Sequence, residues 1–224
     1  MIDKRVANVE EALAGITDGA SIMLCGFGGT GIPFVLTTAL GKKSVRNLTL
    51  VSNSVRHTEE CAPSLFEDKR VAKVIVSAAR SRGREPTTSE RQLEDGTLQL
   101  ELVPQGTFAE RMRAAGAGIP AFYTPTALGT KLTEGKEVRD FNGRQYVLET
   151  ALGADFAFIG ADRADRWGNV SFRGTQENFG PGMAMGSRIA IIEAKHVTDE
   201  PIPPREVDIP GIYVQRVLQV PTES

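Results

Sequence analysis

Ala20-Ser21-Ile22-Met23-Leu24-Cys25-Gly26-Phe27-Gly28-Gly29-Thr30-Gly31-Ile32-Pro33 is the stretch that decides the fold. Residues 20–25 form a short, continuous apolar run, which reads as a strand buried on both faces. Four of the next six residues are glycine, a composition that frees the backbone for positive φ and for close approach to a ligand. Pro33 suits the first turn of a helix, and residues 34–40 supply an apolar helix start. The free N–H groups of such a helix start would face an anion or oxyanion.

Reading outward, the same alternation continues. Upstream, Val6, Val9, Ala12 and Leu13 recur at helical spacing, with Asp3 as the expected cap. Downstream, Leu48-Thr49-Leu50-Val51-Ser52 is a second strand and Val74-Ile75-Val76-Ser77 a third, with a helix between them. This order predicts an α/β fold: a mostly parallel open sheet flanked by helices. Residues 79–89 are polar and basic and read as a loop. Leu98-Gln99-Leu100-Glu101-Leu102 alternates with period two, which predicts a half-buried strand. A helix is expected from Phe108 to about Ala115, and an extended piece over 121–125. Asn142-Gly143 predicts a hairpin with a type I′ turn. Residues 156–161 and 188–194 read as buried strands, and 167–172 as a turn and then a strand. The proline-rich stretch from about 201 to 210 is expected to run extended over the surface. No repeat or polar linker divides the chain, so one α/β domain is expected over residues 1–224.

Composition narrows the class. With 41% hydrophobic and 24% charged residues, the 224-residue chain can bury a core and is not disordered. A net charge of -2 gives no electrostatic argument for nucleic acid or an anionic membrane. No apolar stretch reaches membrane-spanning length, and Met1-Ile2-Asp3-Lys4-Arg5 lacks a signal peptide's apolar core. The cytoplasm is the expected location. Two cysteines are too few for a disulfide framework. A single Cys25–Cys61 bridge stays open, against the rarity of disulfides in reducing compartments.

The candidate chemistry is one-sided. The glycine turn is no P-loop, because no Lys-Ser or Lys-Thr follows. Gly26-Phe27-Gly28 with Gly31 matches G-x-G-x-x-G, yet Val51 is followed by Ser52-Asn53-Ser54 and no acid, which weakens a dinucleotide reading. A tight strand-to-helix turn with no ligand is the plain alternative. Asn53 and Gln105 each follow a predicted parallel strand, where ligands collect. Amides there can orient a carbonyl or oxyanion, or merely satisfy loop backbone; position alone leaves both open. His57 and His196, the only histidines, lie far apart and make no zinc spacing. Neither a Ser/His/Asp set nor G-x-S-x-G occurs. Cys25 reads as a packed thiol. Arg80, Arg82 and Arg84 suit a carboxylate or phosphate, or a solvated loop. The chain looks like half a site.

Several separated motifs then agree in order. Gly26-Phe27-Gly28-Gly29-Thr30-Gly31-Ile32-Pro33 resembles the G-G-F-G-x-x-G-x-P signature of family I CoA-transferases. Pro104-Gln105-Gly106-Thr107-Phe108-Ala109-Glu110-Arg111, running on to Tyr123-Thr124-Pro125-Thr126, is similar to that family's most specific stretch. Phe172-Arg173-Gly174-Thr175, Asn178-Phe179 and Pro210-Gly211-Ile212-Tyr213-Val214 also match. The resemblance spans nearly the whole chain and is to the A subunit of two-subunit 3-oxoacid CoA-transferases. It implies covalent catalysis through a glutamate, with CoA as substrate and no metal or redox cofactor. That glutamate would sit in a Ser-Glu-Asn-Gly motif on a partner B subunit, in an A2B2 assembly. No such tetrapeptide occurs here, and Glu177 falls in a structural stretch, so no catalytic nucleophile is expected on this chain. By motif, Asn53 and Gln105 would hold substrate or reacting carboxylates, and Phe27, Gly28 and Gly31 would shape the wall. Cys25 stands where the family's first glycine is usual, Ser54 where a second asparagine is common, and residues 80–86 replace a Gly-Glu-Asn stretch. Arg82 and Arg84 are therefore expected to meet a second carboxylate or a CoA phosphate. The competing readings are a thioester hydrolase or ring-opening enzyme on the same scaffold, a nucleotide-binding or regulatory module, and a partner chain with purely structural duty.

Overall fold

A computed structural model describes residues 2–80, 83 and 85–221 of the chain. The expected Arg82 and Arg84 contacts lie outside the described residues. In chain order the helices and strands are α1 (Val9–Ala12), β1 (Ser21–Leu24), α2 (Phe34–Lys42), β2 (Leu48–Ser54), α3 (Val55–Cys61), α4 (Ser64–Glu67), β3 (Val71–Ala78), α5 (Thr88–Glu94) and β4 (Gln99–Leu102). There follow α6 (Gln105–Gly116), β5 (Ala121–Thr124), β6 (Val138–Phe141), β7 (Arg144–Thr150), β8 (Ala154–Asp165), β9 (Val170–Ser171), α7 (Gly180–Gly186), β10 (Ser187–Thr198) and β11 (Arg216–Gln219).

The large sheet has the order β11-β10-β8-β1-β2-β3-β4. Every pairing along that path is parallel, and β9 adds an antiparallel pairing to β8. Strand order runs outward from β1 in one direction through β2, β3 and β4, and in the other through β8, β10 and β11. The chain therefore reverses between β1 and β8. A crevice opens at such a reversal, outside the carboxyl ends of the strands. The glycine turn leaves β1 at that point.

Alternation along the strands explains the unbroken apolar run. Ile22 and Leu24 of β1 face one core with Leu36 and Leu40 of α2 and Phe66 of α4. Met23 and Cys25 face the other, with Phe108 and Met112 of α6 and Met183 of α7. Both faces of the sheet are covered, as a parallel sheet requires. Each fully buried Leu or Phe stabilises the fold by roughly 1.5–3 kcal/mol, so the two layers together fix the sheet that carries the crevice.

A small antiparallel sheet, β5-β7-β6, stands apart from the large one. Its hairpin turns at Asn142 (φ 55°) and Gly143 (φ 81°), as the Asn-Gly pair predicts.

Local departures from expectation have physical causes. The first helix is short, and Asn8 rather than Asp3 caps it, its Oδ1 accepting from Glu11 N at 2.9 Å. Asp3 instead pairs with the Arg5 guanidinium. Val6 lies before the helix, its N–H donating to Val217 O at 2.9 Å. β4 is the sheet's edge, so Leu100 and Leu102 stay 43% and 38% exposed instead of half-buried. The basic loop ends earlier than expected, at a capping box in which Thr87 and Glu90 start α5. The tail is not simply spread over the surface. Ile202 and Ile209 are buried, residues 204–206 form a 3₁₀ turn, and β11 closes the far edge of the sheet. Cys25 and Cys61 are both free thiols. Among the described residues no helix is long and apolar enough to cross a membrane.

Candidate active site

The glycine turn after β1 is a tight reversal. Phe27 N donates to Thr30 O and Thr30 N to Phe27 O, both at 3.0 Å. Gly28 (φ 58°) and Gly29 (φ 91°) form its tip, a pair of positive φ values that strains any residue with a Cβ. Among the described residues the N–H groups of Gly28 and Gly29 meet no hydrogen-bond acceptor. The tip thus presents two unpaired donors. Phe27 is 47% exposed beside it. Its ring meets Phe179 edge-on at 6.4 Å, and Phe179 meets Phe108 in the first turns of α6 at 5.3 Å. These edge-to-face contacts join the glycine turn to the start of α6.

Asn178 holds the turn down. Its Nδ2 donates to Thr30 O at 3.2 Å and Gln176 O at 2.9 Å. Its Oδ1 accepts from Cys25 Sγ at 3.1 Å and Phe179 N at 2.7 Å. Burial pushes the Cys25 thiol up to about 12, so it stays protonated and serves as a donor. Cys25 lies just past the end of β1 and is 3% exposed, the setting of a packed thiol rather than a reactive one. Gly31 (φ 70°) lies against the Gln176 carbonyl. From below, the Gly31 and Ile32 carbonyls rest on Gly160 of β8, where a Cβ would come within 2.9 Å of Ile32 O.

The helix N-terminus after the turn is not free for a ligand, contrary to expectation. Glu193 of β10, 7% exposed, reaches under α2, and Leu36 N donates to its Oε2 at 2.9 Å. Burial pushes the Glu193 carboxyl above the ordinary carboxylate range, while backbone N–H groups of Leu36, Val35 and Phe34 pull the other way. The chain supplies its own carboxyl group as the acceptor at that helix start. The sign of the pH effect follows. A raised folded pKa adds stability that is full below the unfolded value and is lost as pH rises through the folded one. Glu193→Gln does not titrate, so its Tm should gain on the wild-type Tm across the range from about pH 4, the ordinary glutamate value, upward. Melting curves across that range check this; a constant offset would contradict it.

Asn53, next to last in β2, and Gln105, first in α6, come together as their positions after parallel strands imply. Gln105 Nε2 donates to Asn53 Oδ1 at 2.8 Å, and Ser77 Oγ of β3 reaches the same oxygen at 2.7 Å. Asn53 is 7% exposed, while Gln105 is exposed. The helix carrying Gln105 is locked by Arg111, whose guanidinium bonds Glu101 Oε1 at 2.6 Å and Thr150 O at 2.7 Å. A narrow cleft lined by Cys25, Gly26, Ile32, Ser52, Ser54 and His57 runs between the glycine turn and the end of β2. His57 faces Glu60 at 3.5 Å rather than any nucleophile, and His196 is exposed on β10.

Arg80 is exposed beyond the end of β3. A wider hollow beside α3 is lined in part by Arg56, Glu59, Glu60 and Glu85. Its charges serve the chain itself: Arg56 pairs with Glu60 at 2.6 Å, and Glu59 accepts from Thr88 N at 2.7 Å at the start of α5. Among the described residues no group of three His, Cys, Asp or Glu side chains is placed to hold a metal ion. Sequence reasoning missed the parts played by Asn178, Ser77 and Glu193. The available signals were the Asn178-Phe179 motif and Glu193 itself, a lone charge in the apolar run Ile189-Ala190-Ile191-Ile192-Glu193-Ala194.

Among the described residues the arrangement offers amide and backbone donors without an activated nucleophile, and the chain that builds it has relatives among known proteins. The family model described as Coenzyme A transferase matches residues 6–219. The A subunit of the 3-oxoadipate CoA-transferase of Pseudomonas putida is 43% identical over 221 residues, covering 98% of this chain and 95% of that protein. The A subunit of the succinyl-CoA:3-ketoacid coenzyme A transferase of Xanthomonas campestris pv. campestris (strain B100) is 46% identical over 217 residues, covering 96% of this chain and 88% of that protein. The crystal structure of glutaconate coenzyme A-transferase from Acidaminococcus fermentans superimposes with a TM-score of 0.84 at 21% identity, over 97% of this chain and 76% of that one, a likeness of fold. With a match running almost from end to end, the chain belongs to the coenzyme A transferase family.

Proposed function

We propose that this chain is the A subunit of a 3-oxoacid CoA-transferase, and that the carboxylate which becomes acylated is a glutamate of a partner B subunit. In this reading that carboxylate attacks the thioester carbonyl of an acyl-CoA and expels the CoA thiolate, leaving an acyl-glutamyl anhydride. The thiolate then attacks the glutamyl carbonyl, releases the first acid and leaves a glutamyl-CoA thioester. An acceptor acid runs the same two steps in reverse. No redox change occurs, so neither metal nor redox cofactor is required. Each step passes through a tetrahedral oxyanion, and this chain's part is to stabilise it.

Asn53 and Gln105 supply neutral amide N–H groups, and Gly28 and Gly29 supply backbone N–H groups. Neutral donors suit this task because they meet developing negative charge without first neutralising the attacking carboxylate. The observation that carries the reading is the Asn53–Gln105 pair, bonded at 2.8 Å at the carboxyl ends of the sheet, on a chain whose two thiols and two histidines are not set up for attack. The relatives described above are A subunits whose names carry 3-oxoadipate or 3-keto acids, which supports the 3-oxoacid class and a B partner; an A2B2 assembly and a cytoplasmic location complete the proposal.

The test is reconstitution. The purified chain alone should exchange no CoA between succinyl-CoA and a 3-oxoacid. Mixed with a B subunit carrying Ser-Glu-Asn-Gly, it should do so, and the glutamate of that partner should become labelled in the thioester state. Full-rate exchange by this chain alone would overturn the reading. Release of free CoA at the same rate with and without an acceptor acid would replace it with the hydrolase.

A further inference from the structure

We infer that Ser77 is a positioning residue of this site, the group that sets which way the Asn53 amide points. The inference rests on the proposed oxyanion role of Asn53. Ser77 lies near the end of β3, beside β2, where its hydroxyl reaches Asn53 Oδ1 at 2.7 Å and Asn53 O at 3.1 Å. The shorter distance is that of an O–H···O bond, so the hydroxyl proton goes to Oδ1. Gln105 Nε2 donates to the same oxygen from α6 at 2.8 Å. Both lone pairs of Oδ1 are then engaged, one by each neighbouring element. The Asn53 NH₂ group is left on the opposite edge of its amide, which in this inference offers donors rather than acceptors to a substrate.

The consequence is directional. An asparagine amide turned by half a circle has nearly the same shape but presents an oxygen where the NH₂ stood. An oxygen lone pair aimed at an oxyanion repels it. Asn53 is 7% exposed, so its packing admits either orientation by shape and the hydrogen bonds must choose between them. Gln105 alone is a weak guide, because its own amide can turn with that of Asn53. Ser77, with a short side chain fixed to a strand, gives the pair its reference point. Its part in the reaction is therefore exerted through Asn53.

The experiment is a mutant cycle in the reconstituted complex with the B partner, reading kcat, KM for acyl-CoA and Tm. Ser77→Ala should lower kcat about 5–10-fold, the size of one lost neutral hydrogen bond, with KM and Tm nearly unchanged. Ser77→Thr, which keeps the hydroxyl, should restore kcat. On an Asn53→Ala background, Ser77→Ala should cause no further loss, because there is no amide left to orient. Where Ser77→Ala fails to assemble, Ser77→Cys, close in size and a weak donor, is read in its place. An unchanged kcat in Ser77→Ala alongside a large fall in Asn53→Ala would overturn the inference and spare the site reading. Fully multiplicative losses in the double mutant would overturn it in the same way. An unchanged kcat in Asn53→Ala would remove the site reading and the inference together.

Discussion

Asn53→Ala is expected to lower kcat of the assembled transferase by about 10²–10³-fold, the usual result of removing one preorganised oxyanion donor. KM for acyl-CoA should change far less. The ground-state thioester carbonyl needs the donor weakly, and the tetrahedral oxyanion needs it strongly, so the loss belongs to the transition state. Gln105→Ala should fall in the same range. The double variant should lose less than the product of the two, because the Gln105 Nε2–Asn53 Oδ1 bond makes each residue part of the other's support. Asn53→Asp should be at least as damaging as Asn53→Ala. It nearly preserves shape but places an acceptor-only carboxylate where charge develops, and its burial would hold that carboxylate in low dielectric. Steady-state rates on the reconstituted enzyme decide this. A raised KM with unchanged kcat would mean that Asn53 binds substrate and transition state alike, and that the oxyanion is stabilised elsewhere.

What could be read in advance was local or periodic. The run from Ala20 to Cys25 shows its strand because both faces are buried, and the glycine turn after it needs only neighbouring residues to form. Asn53 and Gln105 were found by a topological rule: each follows a parallel strand, and such ends meet at one crevice. What stayed hidden was long-range. Glu193 lies 157 residues from the Leu36 N–H it accepts, and Cys25 lies 153 residues from Asn178. No periodicity announces such pairs. The alternation of Leu98, Leu100 and Leu102 announced a strand correctly but not that it would be an edge, since exposure depends on what comes to lie beside it. α5 was legible in principle, in Thr87-Thr88-Ser89-Glu90, and was masked by the basic residues before it. Ser77 carried no signal at all. A serine ending an apolar strand becomes informative only once β2 and β3 are in register, with Ser52 opposite Val76 and Ser54 opposite Ala78.

The long-range part of the site makes the second large prediction, and two glycines of one turn separate its causes. Gly31 and Gly28 both have positive φ, 70° and 58°, so alanine at either position carries a similar backbone penalty, about 1–2 kcal/mol. Their surroundings differ. A Cβ on Gly28 would meet nothing within 4 Å. A Cβ on Gly31 would overlap the Gln176 carbonyl oxygen and lie 2.7 Å from Asn178 Nδ2, adding about 1–3 kcal/mol of overpacking. The atoms in the way are a backbone carbonyl and the amide that holds Thr30 O and accepts from Cys25, so relief requires the 174–178 loop to lift from the turn. Gly31→Ala should therefore lower Tm by roughly 4–20 °C, and Gly28→Ala by only about 2–8 °C, at the 2–4 °C per kcal/mol usual for chains of this size. The functional split should follow the structural one. Lifting that loop frees Phe179 from Phe27 and Phe108 and lets the tip donors drift from the Asn53–Gln105 pair, so Gly31→Ala should depress kcat even at temperatures where the chain is fully folded. Equal Tm losses for the two variants would show that the 174–178 loop does not bear on Gly31, and that the donors at the tip are held by the turn's own two hydrogen bonds instead.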